Sequence, residues 1–126
     1  MPSLKFDPTT ASIIVNADIR AIHPTVARLV LDTGASFVMI PWRLAQAIGI
    51  KIDPKNTIQI TTATTVETAP KVLIPQISVL GKTVKNVEAI VKDLPPSSPV
   101  DGLLGLSFLK KFKLTINFKQ GLLQLD

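Results

Sequence analysis

The stretch RLVLDTGASFVMIPWRLAQAIG, residues 28–49, decides how this chain is read. Asp32 ends the apolar run Leu29-Val30-Leu31. Thr33, Gly34, Ala35 and Ser36 follow, and a second apolar run, Phe37 to Ile40, comes straight after. Two short apolar runs bounded by turn-forming residues read as buried strands. The ionisable side chain between them has two readings. It is a turn residue, a role Asp-Thr-Gly fits well, or it is an acid held at the end of a strand for chemistry. Pro41 then takes the first-turn position of a helix, PWRLAQAIG, and Gly49 closes it. Trp42, the only tryptophan, is expected to pack that helix on the sheet.

Working outward, most segments also read as strands. Residues 11–22, ASIIVNADIRAI, and 25–31, TVARLVL, are apolar with partial alternation, and His23-Pro24-Thr25 reads as a hairpin turn between them. NTIQITTA (56–63) and APKVLIPQISVL (69–80) predict a long hairpin with a polar tip around Thr64-Thr65-Val66-Glu67. Gly81-Lys82 is the next turn, and TVKNVEAIVKD (83–93) the next strand. LPPSSP (94–99) is a loop. VDGLLGLSFLKKF (100–112) places an apolar pair before Gly105 and a short helix through about Lys110. KLTINFKQGLLQLD (113–126) reads as a hairpin turning at Lys119-Gln120-Gly121. One or two short helices among many strands make an all-β domain, and a closed β-barrel is the expected form. Residues 1–10 are read as an N-terminal segment and 11–126 as the domain.

Bulk properties narrow the chemistry. The chain has 126 residues, the size of one domain with a core of its own. Its apolar fraction is 46% and its mean hydropathy +0.37, which is not the composition of a disordered chain. Only 5% is aromatic, so Ile, Leu, Val and Ala must build the core. With no cysteine there is no disulfide, thiolate metal site or thiol nucleophile. The single histidine, His23, is read as a loop residue. It leaves little for a Ser-His-Asp triad or a zinc site, and neither metal nor cofactor is expected. The net charge is +5, but the basic residues are scattered, apart from Lys110-Lys111-Phe112-Lys113. Without aromatic interleaving or a basic arm, a solvated basic face is the expectation, not a nucleic-acid site. No apolar run approaches the ~20 residues that span a membrane, and the N-terminus lacks a secretory pattern. The chain is therefore expected to be soluble and cytoplasmic.

Asp32-Thr33-Gly34 within LVLDTGASFVMI resembles the catalytic signature of aspartic proteases. GLLGLSFL, residues 102–109, resembles the second signature of that superfamily, where two apolar strand residues end at a glycine and run into a helix beneath the active site. The resemblance covers roughly residues 11–125 and is to the retropepsin-like branch, single-domain proteases of the retroviral and bacterial type. It implies a closed barrel of the retropepsin type and an aspartic endopeptidase. Hydrolysis without metal or covalent intermediate needs a general base for water and a general acid for the carbonyl oxygen and leaving amine. Two carboxylates sharing one proton can supply both.

This chain has one Asp-Thr-Gly. Asp101-Gly102 lacks the threonine and the strand context, so Asp101 is read as a turn residue. The second carboxylate is then expected from Asp32 of another copy, in a twofold homodimer. By resemblance, Thr33 would lock the two loops together across the axis, and Gly34 would let the backbone approach the dyad. Ala35 and Ser36 would touch substrate, and Leu103, Leu104 and Gly105 would support the catalytic loop. The hairpin tip at Ala63, Thr64 and Thr65 corresponds to the flap over an extended peptide or unfolded protein substrate. It departs from the retroviral pattern in having no glycine between Gly49 and Gly81. The competing reading is a non-catalytic retropepsin-like module for dimerisation or peptide binding.

Overall fold

The computed structural model describes residues 3–61 and 63–126. Ten strands and two short helices follow in the order β1 (Ser3–Lys5), β2 (Ile14–Arg20), β3 (Pro24–Leu31), β4 (Val38–Ile40), α1 (Trp42–Ala47), β5 (Thr57–Thr61), β6 (Val66–Val79), β7 (Lys82–Val91), β8 (Gly102–Leu104), α2 (Leu106–Leu109), β9 (Leu114–Asn117) and β10 (Leu122–Leu125).

Strict alternation drives the first hairpin. Val15, Ala17 and Ile19 on β2 are buried, while Asn16, Asp18 and Arg20 face solvent, the pattern of a strand with one face on a core. β3 answers with buried Ala27 and Leu29. It pairs antiparallel with β2 from Ile14↔Val30 to Arg20↔Pro24. β3 then takes β8 in parallel, β8 meets β4 at Met39↔Leu103, and β4 runs parallel to β7. β7 pairs antiparallel with β6, which returns to β2 through Asp18↔Ser78 to Arg20↔Gln76. The result is a closed six-stranded mixed barrel. Closure removes the exposed sheet edge that an open sheet of this length would carry.

The interior is aliphatic, as the composition requires. Ile19, Leu29, Ile40, Ile74, Ile77 and Leu104 are fully buried, with Phe108 the largest fully buried side chain. Each such side chain contributes roughly 1.5–3 kcal/mol by leaving water. A separate sheet, β1-β10-β9, ties the N-terminal segment to the C-terminal hairpin through Ser3↔Gln124 to Lys5↔Leu122. Just beyond β1, the backbone amide and hydroxyl of Thr9 both donate to Asp7 and hold its carboxyl below the ordinary aspartate value.

Three expectations are corrected. Trp42 is not the buried anchor of α1: it is 39% exposed, and Leu44 and Ala45 supply the buried face. The turn before β7 is Leu80-Gly81, not Gly81-Lys82. Both residues have positive φ (51° and 76°), the geometry of a two-residue hairpin whose flanking pair is Val79↔Lys82. The tip of the β5–β6 hairpin is also shorter than expected, since Val66 and Glu67 already pair with Thr61 and Ile60. Within the expected run 56–63, Thr62 lies outside the described residues.

Candidate active site

The central parallel pairing brings the two sequence motifs together. Val30 pairs with Leu103 and Leu31 with Leu104, so β3 and β8 end side by side. One step further, the Asp32 amide donates to the Leu104 carbonyl at 3.1 Å. The chain then turns. The Ala35 amide donates to the Asp32 carbonyl at 3.2 Å, and the Gly34 amide donates to Asp32 Oδ1 at 2.9 Å. This is an Asx turn, in which the carboxylate orders its own loop. Among the described residues, Asp32 Oδ2 accepts no hydrogen bond. Asp32 is half-buried, while Thr33, Gly34 and Ser36 are exposed and Ala35 is half-buried. The acid and its loop therefore stand at an accessible rim of the barrel.

The glycine-to-helix element grips this loop from behind. The Leu106 amide donates to the Ala35 carbonyl at 2.8 Å, and the Ser107 amide to the Ser36 carbonyl at 3.0 Å. The space under the loop admits no side chain at Gly105. A Cβ there would lie 2.3 Å from the Phe37 carbonyl oxygen and 2.7 Å from that of Ala35. Gly102 is as tightly placed: a Cβ there would lie 1.9 Å from the Met39 carbonyl oxygen. Ser107 locks the far side. Its hydroxyl accepts from the Val38 amide at 2.9 Å and donates to the Glu88 carbonyl at 2.7 Å, joining α2, β4 and β7.

Asp101 is used differently from Asp32. Its carboxylate accepts from the Arg28 amide at 2.8 Å and pairs with Arg43 at 2.5 Å, while its own amide donates back to the Arg28 carbonyl. Both oxygens are committed, one to β3 through Arg28 and the other to α1 through Arg43. Among the described residues, no group of three or more His, Cys, Asp or Glu could hold a metal ion.

A cavity of about 340 Å³ adjoins the loop. Gly34, Ala35, Ser36 and Phe37 form one wall, Met39, Ile90 and Leu103 the floor, and Ile58, Gln59, Ile60 and Thr61 of β5 the other wall, with Lys92 at the rim. Of the residues expected to touch substrate, Ala35 and Ser36 line it. Ala63, Thr64 and Thr65 lie exposed at the hairpin tip and do not. Of the expected supports, Leu103 lines the cavity floor, Leu104 is buried behind Asp32, and Gly105 is buried beneath the loop. Sequence reasoning missed the β5 wall. Its signal was the alternation of Ile58 and Ile60 with Thr57, Gln59 and Thr61, which gives the projecting hairpin one apolar face.

A family profile described as aspartyl protease matches residues 15–108, most of the chain, including Asp32-Thr33-Gly34 and the second motif up to Phe108. The chain belongs to the aspartyl protease family. Within that family, a similar solved structure is a retropepsin-like aspartic protease from Rickettsia conorii. It is 24% identical, with a TM-score of 0.69 over 98% of each chain. That likeness makes the fold retropepsin-like. No curated protein matches the sequence. Among the described residues of this aspartyl protease family member, no helix is long and apolar enough to cross a membrane.

Proposed function

We propose that the chain is an aspartic endopeptidase whose active site is built from two copies, each giving one Asp32. The observation that carries this reading is the seat of Asp32: its amide is bound to Leu104, its loop is ordered by Gly34, and its carboxylate stands at an exposed rim beside an apolar cavity. The other aspartate in a similar Asp-Gly pair, Asp101, is already held by Arg28 and Arg43, which leaves a twofold partner as the source of a second acid.

In that arrangement the two Asp32 carboxylates share one proton, because like charges at close range do not both ionise. The ionised member takes a proton from water as the water oxygen attacks the peptide carbonyl carbon. The protonated member gives its proton to the carbonyl oxygen. Collapse of the tetrahedral diol then passes a proton to the leaving amine and restores the dyad. Thr33 and Gly34, exposed at the rim, are the residues that would meet their twofold mates. The β5–β6 hairpin serves as the flap, and the substrate lies beneath it as an extended strand. Ala63, Thr64 and Thr65 form its tip. The β-branched threonines make it stiffer than a glycine-rich tip.

The test compares wild type with Asp32→Asn on an unstructured protein substrate at acidic pH, with a statine-type inhibitor as a further control. Wild type should cleave and be inhibited, and the variant should lose cleavage by about a thousandfold or more while keeping its assembly. Cleavage per chain should also fall on dilution as dimers dissociate. The alternative reading, a non-catalytic dimerisation or peptide-binding module, draws on the glycine-free tip. It gains if wild type and Asp32→Asn give the same residual digestion pattern.

A further inference from the structure

The cavity beside the Asp32 loop has apolar walls and one charged lining residue among those described, Lys92. Its position is fixed by the sheet. The Lys92 amide donates to the Ile40 carbonyl at 3.0 Å, continuing the β4–β7 ladder by one residue. Lys92 thus shares a strand face with Ile90, which lines the cavity floor. The matching acid stands beside the β5 wall, on the neighbouring strand β6. Glu67 on β6 lies directly across from Ile60 on β5, so the two side chains share the hairpin face that looks onto the cavity. The Glu67 carboxylate is paired with the Lys92 ammonium. A nearby ammonium outside the cavity lining, on β6 opposite Ile90, is neutralised in the same way. Lys71 Nζ is 5.0 Å from the centre of the Phe37 ring and 3.1 Å from Glu88 Oε1.

We propose that Glu67 is a specificity-determining residue: by occupying Lys92 it makes this cavity accept an uncharged, apolar side chain of a peptide substrate and refuse an acidic one. The proposal rests on the protease reading above and adds the class of side chain that the site selects. Specificity is a difference between two affinities, and Glu67 moves both. With Glu67 in place, a substrate carboxylate must displace an existing partner and meets its repulsion. With Glu67 removed, Lys92 offers a charge-assisted hydrogen bond to an acidic side chain. An apolar side chain would instead cover an unpaired ammonium, which is costly. Both changes push the preference from apolar towards acidic.

The test measures binding, so it does not depend on turnover. Asp32→Asn protein is titrated at pH 6, where a peptide glutamate is ionised, with unmodified hexapeptides. In the set, leucine is replaced by glutamate at one position at a time. In the Asp32→Asn background, Glu67→Gln should shift the glutamate-to-leucine affinity ratio by about tenfold at one position, the size expected of a hydrogen bond to a charged group. Adding Lys92→Met should return the ratio to its starting value. A melting curve like that of the parent protein shows that the fold is kept. A ratio that stays within about twofold at every position overturns the assignment while leaving the protease reading intact. If no member of the set binds, the peptide cleft itself falls, and this assignment with it.

Discussion

The Asp32 amide donates to the Leu104 carbonyl at 3.1 Å, and that bond joins the two motifs of the chain. It extends the parallel β3–β8 pairing by one residue past Leu31↔Leu104. The carboxylate is therefore seated by a strand that comes some seventy residues later in the sequence, and its loop is seated by the helix that follows that strand.

The space beneath the loop makes Gly105 irreplaceable. An alanine Cβ would meet two backbone carbonyl oxygens at 2.3 and 2.7 Å, neither of which can rotate away. Gly105→Ala should cost about 3 kcal/mol and lower the melting temperature by roughly 10 °C. Gly81→Ala is the control. Its Cβ would meet nothing within 4 Å, so only the positive φ of 76° opposes it. It should cost about 1 kcal/mol. Thermal denaturation of both variants checks the pair, and equal losses would contradict the packing argument.

Ser107 bridges three elements with one hydroxyl. In Ser107→Ala the Val38 amide loses its partner where Val38 itself is buried, and the Glu88 carbonyl loses a donor. The expected loss is about 1–3 kcal/mol, read by urea denaturation. Hydrogen exchange should quicken at the Val38 amide more than at Ile19, whose partners lie on β3 and β6. A uniform change at both sites would show that the hydroxyl does not act locally.

A dyad that shares one proton fixes the shape of the pH profile. Cleavage should be bell-shaped with an acidic optimum: the rate falls at low pH as the second carboxylate gains a proton, and at higher pH as the shared proton is lost. Initial rates across the acid range, on a substrate without ionisable groups near the cleaved bond, check this. A rate that climbs steadily to neutral pH would rule the shared proton out.

Much of the barrel was legible because its signals are local. Val15, Ala17 and Ile19 alternate with polar neighbours, and a one-residue slip would expose all three. Asp32-Thr33-Gly34 and Leu103-Leu104-Gly105 were legible as motifs. That they touch was expected from the family resemblance alone, since parallel pairing between distant strands leaves no local mark. Trp42 misled because size suggested burial. In a helix of six residues the buried face is set by Leu44 and Ala45, and Trp42 at its start stays partly exposed. The Glu67–Lys92 pair was equally hidden. Glu67 lies at the start of β6 and Lys92 just past the end of β7, and the antiparallel pairing of those strands brings them together.

The long-range pairing of β3 with β8 also sets an order of events. The segment carrying Asp32 is made early, but the carbonyl that seats its amide arrives only with Leu104. The loop between them must close before the pairing forms, and such non-local pairings are slow. A chain emerging from the ribosome therefore carries the acid long before it carries the seat. The acid is seated only after the chain has been synthesised through Leu104 and β8 has paired with β3.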